Sequence, residues 1–326
     1  MILIQSLDSD FTTTEVIKWL VRFNVRFVRL DNSAVIKRLH YIMDHFIIEL
    51  NNDIIINTND ITAYWYRRGE FQFTIDFNNS GNRNIDKILK EHLFYENSSL
   101  MSFFLYYMKN KIKCIGDFKS CTIVNKNIIL ETAKSCGLKT PPYIITSEKK
   151  YLTDFFSLYN KVIVKSLDHG FNFSQNNHSY AIYTERITKK ILATVPEKFA
   201  ISLFQQEIIK KFEIRTFFLA GEFYSMAIFS QNDEQTKTDF RIYNNEKPNR
   251  CVPFKIPIEI ESKLHELMKI LDFESGSIDI IYGIDNNFYF LEINPIGQLG
   301  MVSYPCNYML EKEIAKELIR LNNKMN

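Results

Sequence analysis

Asp279, Glu292 and Asn294 are the residues of this chain whose types and spacing suit a divalent cation. Asp279 lies in Ser277-Ile278-Asp279-Ile280-Ile281-Tyr282-Gly283, and the other two in Phe288-Tyr289-Phe290-Leu291-Glu292-Ile293-Asn294-Pro295. Both runs read as strands, separated by the turn-rich Ile284-Asp285-Asn286-Asn287. Side chains alternate faces along a strand, so Glu292 and Asn294 point the same way. A two-residue turn at Asp285-Asn286 sets Asp279 across from Glu292, and one at Asn286-Asn287 sets it across from Asn294. Either register gathers all three oxygen-bearing side chains on one face. Opposed carboxylates repel, and a cation reverses that sign. Oxygen ligands of this kind suit Mg²⁺, which keeps several waters and is completed by phosphate oxygens. A hairpin with solvated acids on its outer face would use the same residues.

Four further features carry charge where chemistry could use it. Lys126 falls in the first turn of a helix, where the helix dipole disfavours a cation and a bound phosphate would repair the mismatch; the alternative is a side chain extended into water. Lys165 ends the strand Lys161–Lys165. Glu213 and Arg215 share a face of the strand Glu213–Leu219, as a functional pair or a structural ion pair. Arg67-Arg68 closes another strand, as an anion site, a solvated edge or an ion pair.

The elements that must position these residues can be read from periodicity. Met1–Ser6 and Val25–Leu30 are strand-like around a helix Thr13–Phe23, which Thr12, Thr13 or Thr14 can cap. Phe46–Leu50, Ile54–Ile56 and Ala63–Tyr66 are further strands, and Asp86–Tyr107 is a long helix. A second unit begins near Ile115, with a helix from Asn125 to Ser135 that stops at Gly137 and Pro141-Pro142. After Lys165, the stretch Ser166 to His178 is polar and aperiodic, a loop able to close over a ligand. Its two histidines, His169 and His178, carry no catalytic assignment. Ser202–Ile209 and Phe223–Phe229 are strands, and Glu259–Leu271 and Glu311–Leu321 are helices.

Composition excludes several function classes. The 326 residues are 46% hydrophobic, enough for two or three packed domains. Lys+Arg 40 against Asp+Glu 38 gives no reason to expect nucleic acid or an anionic membrane as partner. The five cysteines show no Cys-x-x-Cys spacing and read as reduced, cytoplasmic thiols. The N-terminus reads as a buried strand and not a signal peptide, and the longest apolar run, Leu100 to Met108, is too short to span a bilayer. With ten glycines, none two residues from another, there is no Gly-x-Gly-x-x-Gly and no Walker A loop. His-Glu-x-x-His and Gly-x-Ser-x-Gly are also missing, which weakens protease and hydrolase readings.

The order of these features is more telling than any one of them. A helix-start lysine, a strand-end lysine, a polar loop, the Gln-Glu-hydrophobic strand, an acidic-Ile-Arg strand, a lone arginine and the Asp…Glu-x-Asn hairpin follow one another. This succession resembles the ATP-grasp carboxylate ligases over roughly residues 115 to 320. Tyr64-Trp65-Tyr66-Arg67-Arg68, Phe212-Glu213-Ile214-Arg215, Ser230-Gln231 and Asp239-Phe240-Arg241 resemble the subgroup that makes graspetides, the microviridin-like cyclised peptides. The tail Gly300-Met301-Val302-Ser303-Tyr304-Pro305-Cys306-Asn307-Tyr308-Met309-Leu310-Glu311 is similar to the grasp-with-spasm peptide maturases.

The resemblance implies an α/β (α+β) chain with the ATP-grasp fold. Residues 1–115 would form an N-terminal pre-ATP-grasp α/β domain, 116–200 a central subdomain with the lid, and 201–326 a C-terminal subdomain with the Mg²⁺ site. ATP and Mg²⁺, as two ions, are the implied cofactors. Lys126 and Lys165 would contact the phosphates. Gln206, Glu207, Ile208 and Ile209 would line the adenine, with the backbone at Glu207 and Ile208 reading its edge. Glu213, where the family usually has Asp, would take the ribose hydroxyls. Arg215 and Arg241 would hold the γ-phosphate and the carboxylate being activated, and Asp279, Glu292 and Asn294 the Mg²⁺. The implied partner is a precursor peptide with a leader and a Thr/Ser- and Asp/Glu-containing core. Its carboxylates would be phosphorylated and closed onto Ser/Thr hydroxyls as esters, or onto Lys amines as amides. A homodimer rests on the resemblance alone. Two other readings keep these residues: an ATP-grasp ligase that extends a protein tail or joins small metabolites, and a nucleotide-binding regulator without catalysis.

Overall fold

The computed structural model describes residues 1–69, 72–73, 80–116, 125–167, 172–175, 178–181, 184–230 and 249–323. The chain divides into two compact units, one of Met1–Thr122, Pro295–Ser303 and Met309–Asn326, the other of Ile123–Asn294 and Tyr304–Tyr308.

The first unit runs β1 (Ile2–Gln5), α1 (Phe11–Arg22), β2 (Phe27–Leu30), β3 (Val35–Ile42), β4 (His45–Leu50), β5 (Ile55–Asn57), β6 (Ala63–Tyr66), β7 (Gln72–Phe73), α2 (Arg83–Lys111) and β8 (Lys113–Ile115). β1 and β6 are buried along their whole length, as the central strands of a parallel sheet must be, and the order is β2-β1-β6-β8. The second sheet, β5-β4-β3-β7, packs Phe46 and Ile48 into one core with Leu3, Tyr64, Phe104 and Met108. Gly116, just past β8, has φ 67°, and a Cβ there would lie 2.7 Å from the Tyr66 carbonyl oxygen, so the close approach needs glycine.

Asp10 caps α1, not one of the three threonines: its Oδ1 accepts from the Thr13 N–H at 2.8 Å. Its other oxygen lies 3.4 Å from Arg67 Nε, in a pair whose side chains are 7% and 5% exposed. Arg67 also donates through Nη1 to the carbonyls of Ile296 and, at 2.7 Å, Gly297. Arg67 is thus a structural tie, not an anion site. Asp10→Ala removes a cap and leaves a buried guanidinium without its carboxylate, so it is expected to cost about 3 kcal/mol or more. Urea unfolding would show a lower midpoint at unchanged slope. Asp10→Asn, which keeps a capping oxygen, is expected to lose less.

The second unit runs α3 (Lys126–Ser135), β9 (Tyr143–Glu148), α4 (Lys149–Tyr159), β10 (Val162–Lys165), β11 (Asn172–Gln175), β12 (His178–Ala181), β13 (Glu185–Ile187), α5 (Lys189–Thr194), β14 (Lys198–Gln206), β15 (Lys210–Leu219), β16 (Glu222–Phe229), β17 (Arg250–Phe254), α6 (Ile258–Ile270), β18 (Ser275–Gly283) and β19 (Phe288–Asn294). An antiparallel sheet, β13-β10-β14-β9, has one face covered by Leu152, Phe155 and Phe156 of α4. β11 and β12 pair as a separate ribbon where the sequence suggests an aperiodic loop. The five-stranded sheet β17-β16-β15-β18-β19 turns Ile214, Phe218, Ile278, Ile280, Phe290 and Ile293 towards α3 and α6. Its other face carries the polar residues discussed below.

After β19 come α7 (Gly300–Cys306) and α8 (Leu310–Asn323). The Ser303 hydroxyl donates to Glu311 at 2.6 Å and accepts from the Leu310 N–H at 3.0 Å, with both side chains buried. The serine and glutamate of the tail motif therefore staple two helices together.

Candidate nucleotide and metal site

The site is built on the open face of the five-stranded sheet, and two β-bulges make it. Gly283 pairs with Asn287 through a 2.9 Å hydrogen bond, so the hairpin loop is the three residues Ile284–Asn286, with Asn286 left-handed at φ 63°. This differs from both two-residue turns suggested by the sequence. Beyond the loop, Tyr282 pairs with Phe288, Ile281 with Tyr289 and Ile280 with Phe290. Continued unbroken, that register would put Asp279 opposite Leu291 and send Glu292 to the far face. The register instead shifts between Ile280 and Asp279, leaving Leu291 as the extra residue, and Asp279 faces Glu292. The cause is packing. Phe290 and Ile293, three residues apart, are both buried in the core against α3 and α6, which a regular strand does not allow. Burying each is worth roughly 1.5–3 kcal/mol, enough to hold the bulge.

The second bulge lies at the start of β15. Lys210 pairs with Gly283 and Phe212 with Tyr282, leaving Lys211 as the extra residue. It puts Lys210 and Glu213 on one face despite their spacing of three. The Lys210 Nζ forms a short contact with Glu213 Oε1, and the Ser230 hydroxyl donates to the same oxygen at 3.0 Å. Burial pushes the Glu213 carboxyl above the ordinary carboxylate range, while Lys210 and Ser230 pull against that shift. Glu213 and Arg215 are therefore not paired with each other.

Arg215 stands directly opposite Asp279, and its Nη1 donates to both carboxylate oxygens, at 2.9 and 3.0 Å. Arg215 Nε and Ser277 Oγ are buried without a hydrogen-bond partner among the described residues. Lys126 opens α3, where Asn125 caps the N–H groups of Asn127 and Ile128. Its Nζ lies 3.5 Å from Glu292 Oε2, with both side chains about a third exposed. Lys126 thus does not simply extend into water: a carboxylate supplies the anion that the helix start favours. Among the described residues, Asp279 thus meets Arg215 and Glu292 meets Lys126. Asn294, opposite Ser277, is exposed at the end of β19.

The four-stranded sheet β13-β10-β14-β9 carries the other candidates. Lys165 pairs with Leu203 and Ile163 with Gln205, all on the face away from α4. Gln205 is buried there, and its Oε1 has no partner among the described residues. Gln206 is opposite Val162 and so shares the face covered by α4. The Glu207 N–H donates to the Lys161 carbonyl at 2.9 Å, and the Ile209 carbonyl accepts from Ile284 at 2.9 Å. The Glu207 carboxylate is held by Arg186, with Nε to Oε2 at 2.7 Å. Arg241 lies outside the described residues, as do Asp239 and Phe240.

The structure therefore brings Arg215, Asp279, Glu292 and Lys126 into one charged chain, with Glu213 two residues along β15 and Asn294 two along β19. Lys210, Arg186 and Gln205 escape sequence reading; the two polar partners in an unbroken ionic set, Lys210 and Glu213, are hidden by a spacing that only a bulge makes adjacent. Two carboxylates and an amide on an open face make half a coordination shell, and among the described residues no cluster of three or more His, Cys, Asp or Glu forms a closed cage. That donor set fits Mg²⁺ completed by water and phosphate oxygens.

No family model matches the sequence, and no curated protein matches it. Solved structures do. A RiPP-associated ATP-grasp ligase from Chryseobacterium gregarium, in complex with ADP and a leader and core peptide, superposes with a TM-score of 0.80 at 21% identity, covering 100% of this chain and 97% of its own. The macrocyclase MdnC from Microcystis aeruginosa MRC, bound with precursor peptide MdnA, gives 0.77 at 21% identity, covering 98% and 99%. The ATP-grasp ligase PsnB, complexed with minimal precursor, Mg and ADP, gives 0.72 at 16% identity, covering 99% and 98%. The fold of this chain, end to end, is that of the ATP-grasp ligases, in the form these peptide-bound members share.

Proposed function

We propose that this chain is an ATP-dependent peptide ligase that closes rings in a precursor peptide. The observation that carries the reading is the chain of charge Lys126–Glu292…Asp279–Arg215 on one open sheet face, within a fold shared by ligases crystallised with ADP and precursor. Each hairpin carboxylate is balanced by a cation that phosphates can draw away, and each cation then finds an anion.

In this reading a side-chain carboxylate of the precursor attacks the γ-phosphorus of ATP. The bond to the β,γ-bridging oxygen breaks, giving an acylphosphate and ADP. A Ser or Thr hydroxyl, or a Lys amine, then adds at the acyl carbon and phosphate leaves. Its proton is lost to solvent or phosphate, so each ring removes one water overall. Arg215, with Arg241, stabilises the transferring phosphoryl group and the carboxylate as they meet. Lys126 and Lys165 hold the phosphates. Glu213 takes the ribose, and the stretch Gln206, Glu207, Ile208 and Ile209 lines the adenine. The backbone at Glu207 and Ile208 would read its edge, as the resemblance implies, through groups other than the Glu207 N–H, which is engaged by Lys161. Asp279, Glu292 and Asn294 would hold Mg²⁺, which neutralises phosphate charge. The division 1–115, 116–200 and 201–326 belongs to this reading, as does a cytoplasmic location, supported by the free thiols of Cys136, Cys251 and Cys306. Among the described residues no helix is long and apolar enough to cross a membrane.

The test is to incubate the protein with ATP, Mg²⁺ and a short Thr/Ser- and Asp/Glu-rich precursor peptide with its leader, sought among the reading frames that neighbour its gene, and weigh the product. Ring closure lowers the peptide mass by one water for each ADP released. A product heavier by whole residues would favour tail extension instead, and ATP consumption with an unchanged peptide would refute the cyclase reading.

A further inference from the structure

We infer that Lys210 and Ser230 are positioning residues that aim one oxygen of Glu213 at the ribose hydroxyls, and so make the site select a ribonucleotide over a deoxynucleotide. The inference rests on the nucleotide reading above and deepens it.

Glu213 is a carboxylate whose two oxygens have different tasks. Oε1 receives both Lys210 and Ser230. Oε2 accepts no hydrogen bond among the described residues, although Glu213 is only 8% exposed. Oε2 is not among the atoms buried without a partner, so it is the oxygen of Glu213 that still reaches solvent and is open to a ligand's donor. Charge then decides what kind. Lys210, itself 7% exposed, already neutralises the carboxylate. A metal ion or a second ammonium at Oε2 would be an uncompensated cation in a nearly dry place. A neutral hydroxyl costs little to desolvate and gains a bond to a charged acceptor.

Position narrows the ligand further. Glu213 and Arg215 share a face, two residues apart on β15, which is roughly 7 Å. Arg215 in turn faces Asp279. A molecule with hydroxyls at Oε2 and anionic groups at Arg215 has the dimensions of a ribose joined to its phosphates. The bulge at Lys211 supports the same role. It places a lysine on a nearly dry face where the regular register would have sent it away, and it does so beside a carboxylate that has an oxygen to offer.

The experiment measures binding of ATP and of 2′,3′-dideoxyATP, each with Mg²⁺, by calorimetry on the full chain and three variants, with melting curves for each. The wild type is expected to prefer ATP by about tenfold or more, the worth of hydrogen bonds to a charged acceptor. Lys210→Met is expected to bring that preference to within about twofold, mainly by weakening ATP. Lys210→Arg, which keeps a cation on Oε1, should restore most of it. Ser230→Ala removes one of the two donors to Oε1 and should cut the preference about threefold, and it decides the matter if Lys210→Met does not fold. A wild type that binds both nucleotides equally, or folded Lys210 and Ser230 variants that keep the full preference, would overturn the positioning role. Loss of both nucleotides in equal measure would mark Lys210 as structural only. A wild type that binds neither nucleotide would instead overturn the nucleotide reading itself.

Discussion

Glu292→Ala is expected to lower ATP-dependent ring formation by about a thousandfold or more while leaving the protein as stable as before. The two halves of that expectation have separate causes. Glu292 is half-buried and touches Lys126 at 3.5 Å, an ion pair of the partly solvated kind that contributes about 1 kcal/mol or less to stability. Its loss frees Lys126 into water, where a lysine is at no disadvantage. In turnover the carboxylate has no substitute: Asp279 faces it across the strand pair, and Asn294 is neutral. Asp279→Ala should lose as much activity but also stability, because it strands the buried Arg215 guanidinium. Comparing both variants by steady-state ATP turnover and by urea unfolding checks the pair of claims. Turnover that survives Glu292→Ala unchanged would remove the metal assignment.

Arg215→Ala is the second large effect, and the structure revises what the residue type alone suggests. An arginine that only gripped phosphate could be removed from a folded protein with loss of turnover and nothing else. Here Arg215 is 5% exposed and donates to both oxygens of Asp279. Its removal breaks a largely buried ion pair, so up to about 3 kcal/mol of stability should go with it. Turnover should fall by about a hundred- to a thousandfold, the worth of one well-placed donor at developing charge. Arg215→Lys separates the two roles. It keeps the cation beside Asp279 and most of the stability, but one ammonium cannot hold the carboxylate and a phosphoryl oxygen in a fixed plane, so turnover stays low. Full activity in Arg215→Lys would mean that a point charge is all the site requires.

Most of the local elements can be read directly from the sequence. The alternation of Ser277, Asp279 and Ile281 marks one face of a strand, and the Asn-rich stretch after Gly283 marks a hairpin. The helix over Lys126–Ser135 is announced by Asn125 and ended by Gly137, and its capping bonds are those its residue types require. The cap of α1 shows the limit of such reading. Three threonines are as suitable as Asp10 by type, and Asp10 prevails because Arg67, more than fifty residues away in sequence, draws its second oxygen to the same place. Arg67 itself is ambiguous in sequence, since nothing local reveals the carbonyls of Ile296 and Gly297 that it serves.

Residue type and local period account for the set of side chains: two carboxylates and an amide on a hairpin, lysines at a helix start and a strand end, and an acid and an arginine two apart on a strand. Those are properties of residue type and of the periods of helix and strand, which are local. Which of them meet depends on packing between distant parts of the chain. The three-residue loop of the hairpin, taken alone, would have put Asp279 and Glu292 on opposite faces. They face one another because Phe290 and Ile293 must both reach the same core, and a core is made by residues from α3, α6 and β15 that lie far along the chain. Lys210 reaches Glu213 by the same device, a bulge at Lys211. A bulge is one residue long and leaves no period of its own, so the packing around it, and not the spacing within it, settles where the charge goes.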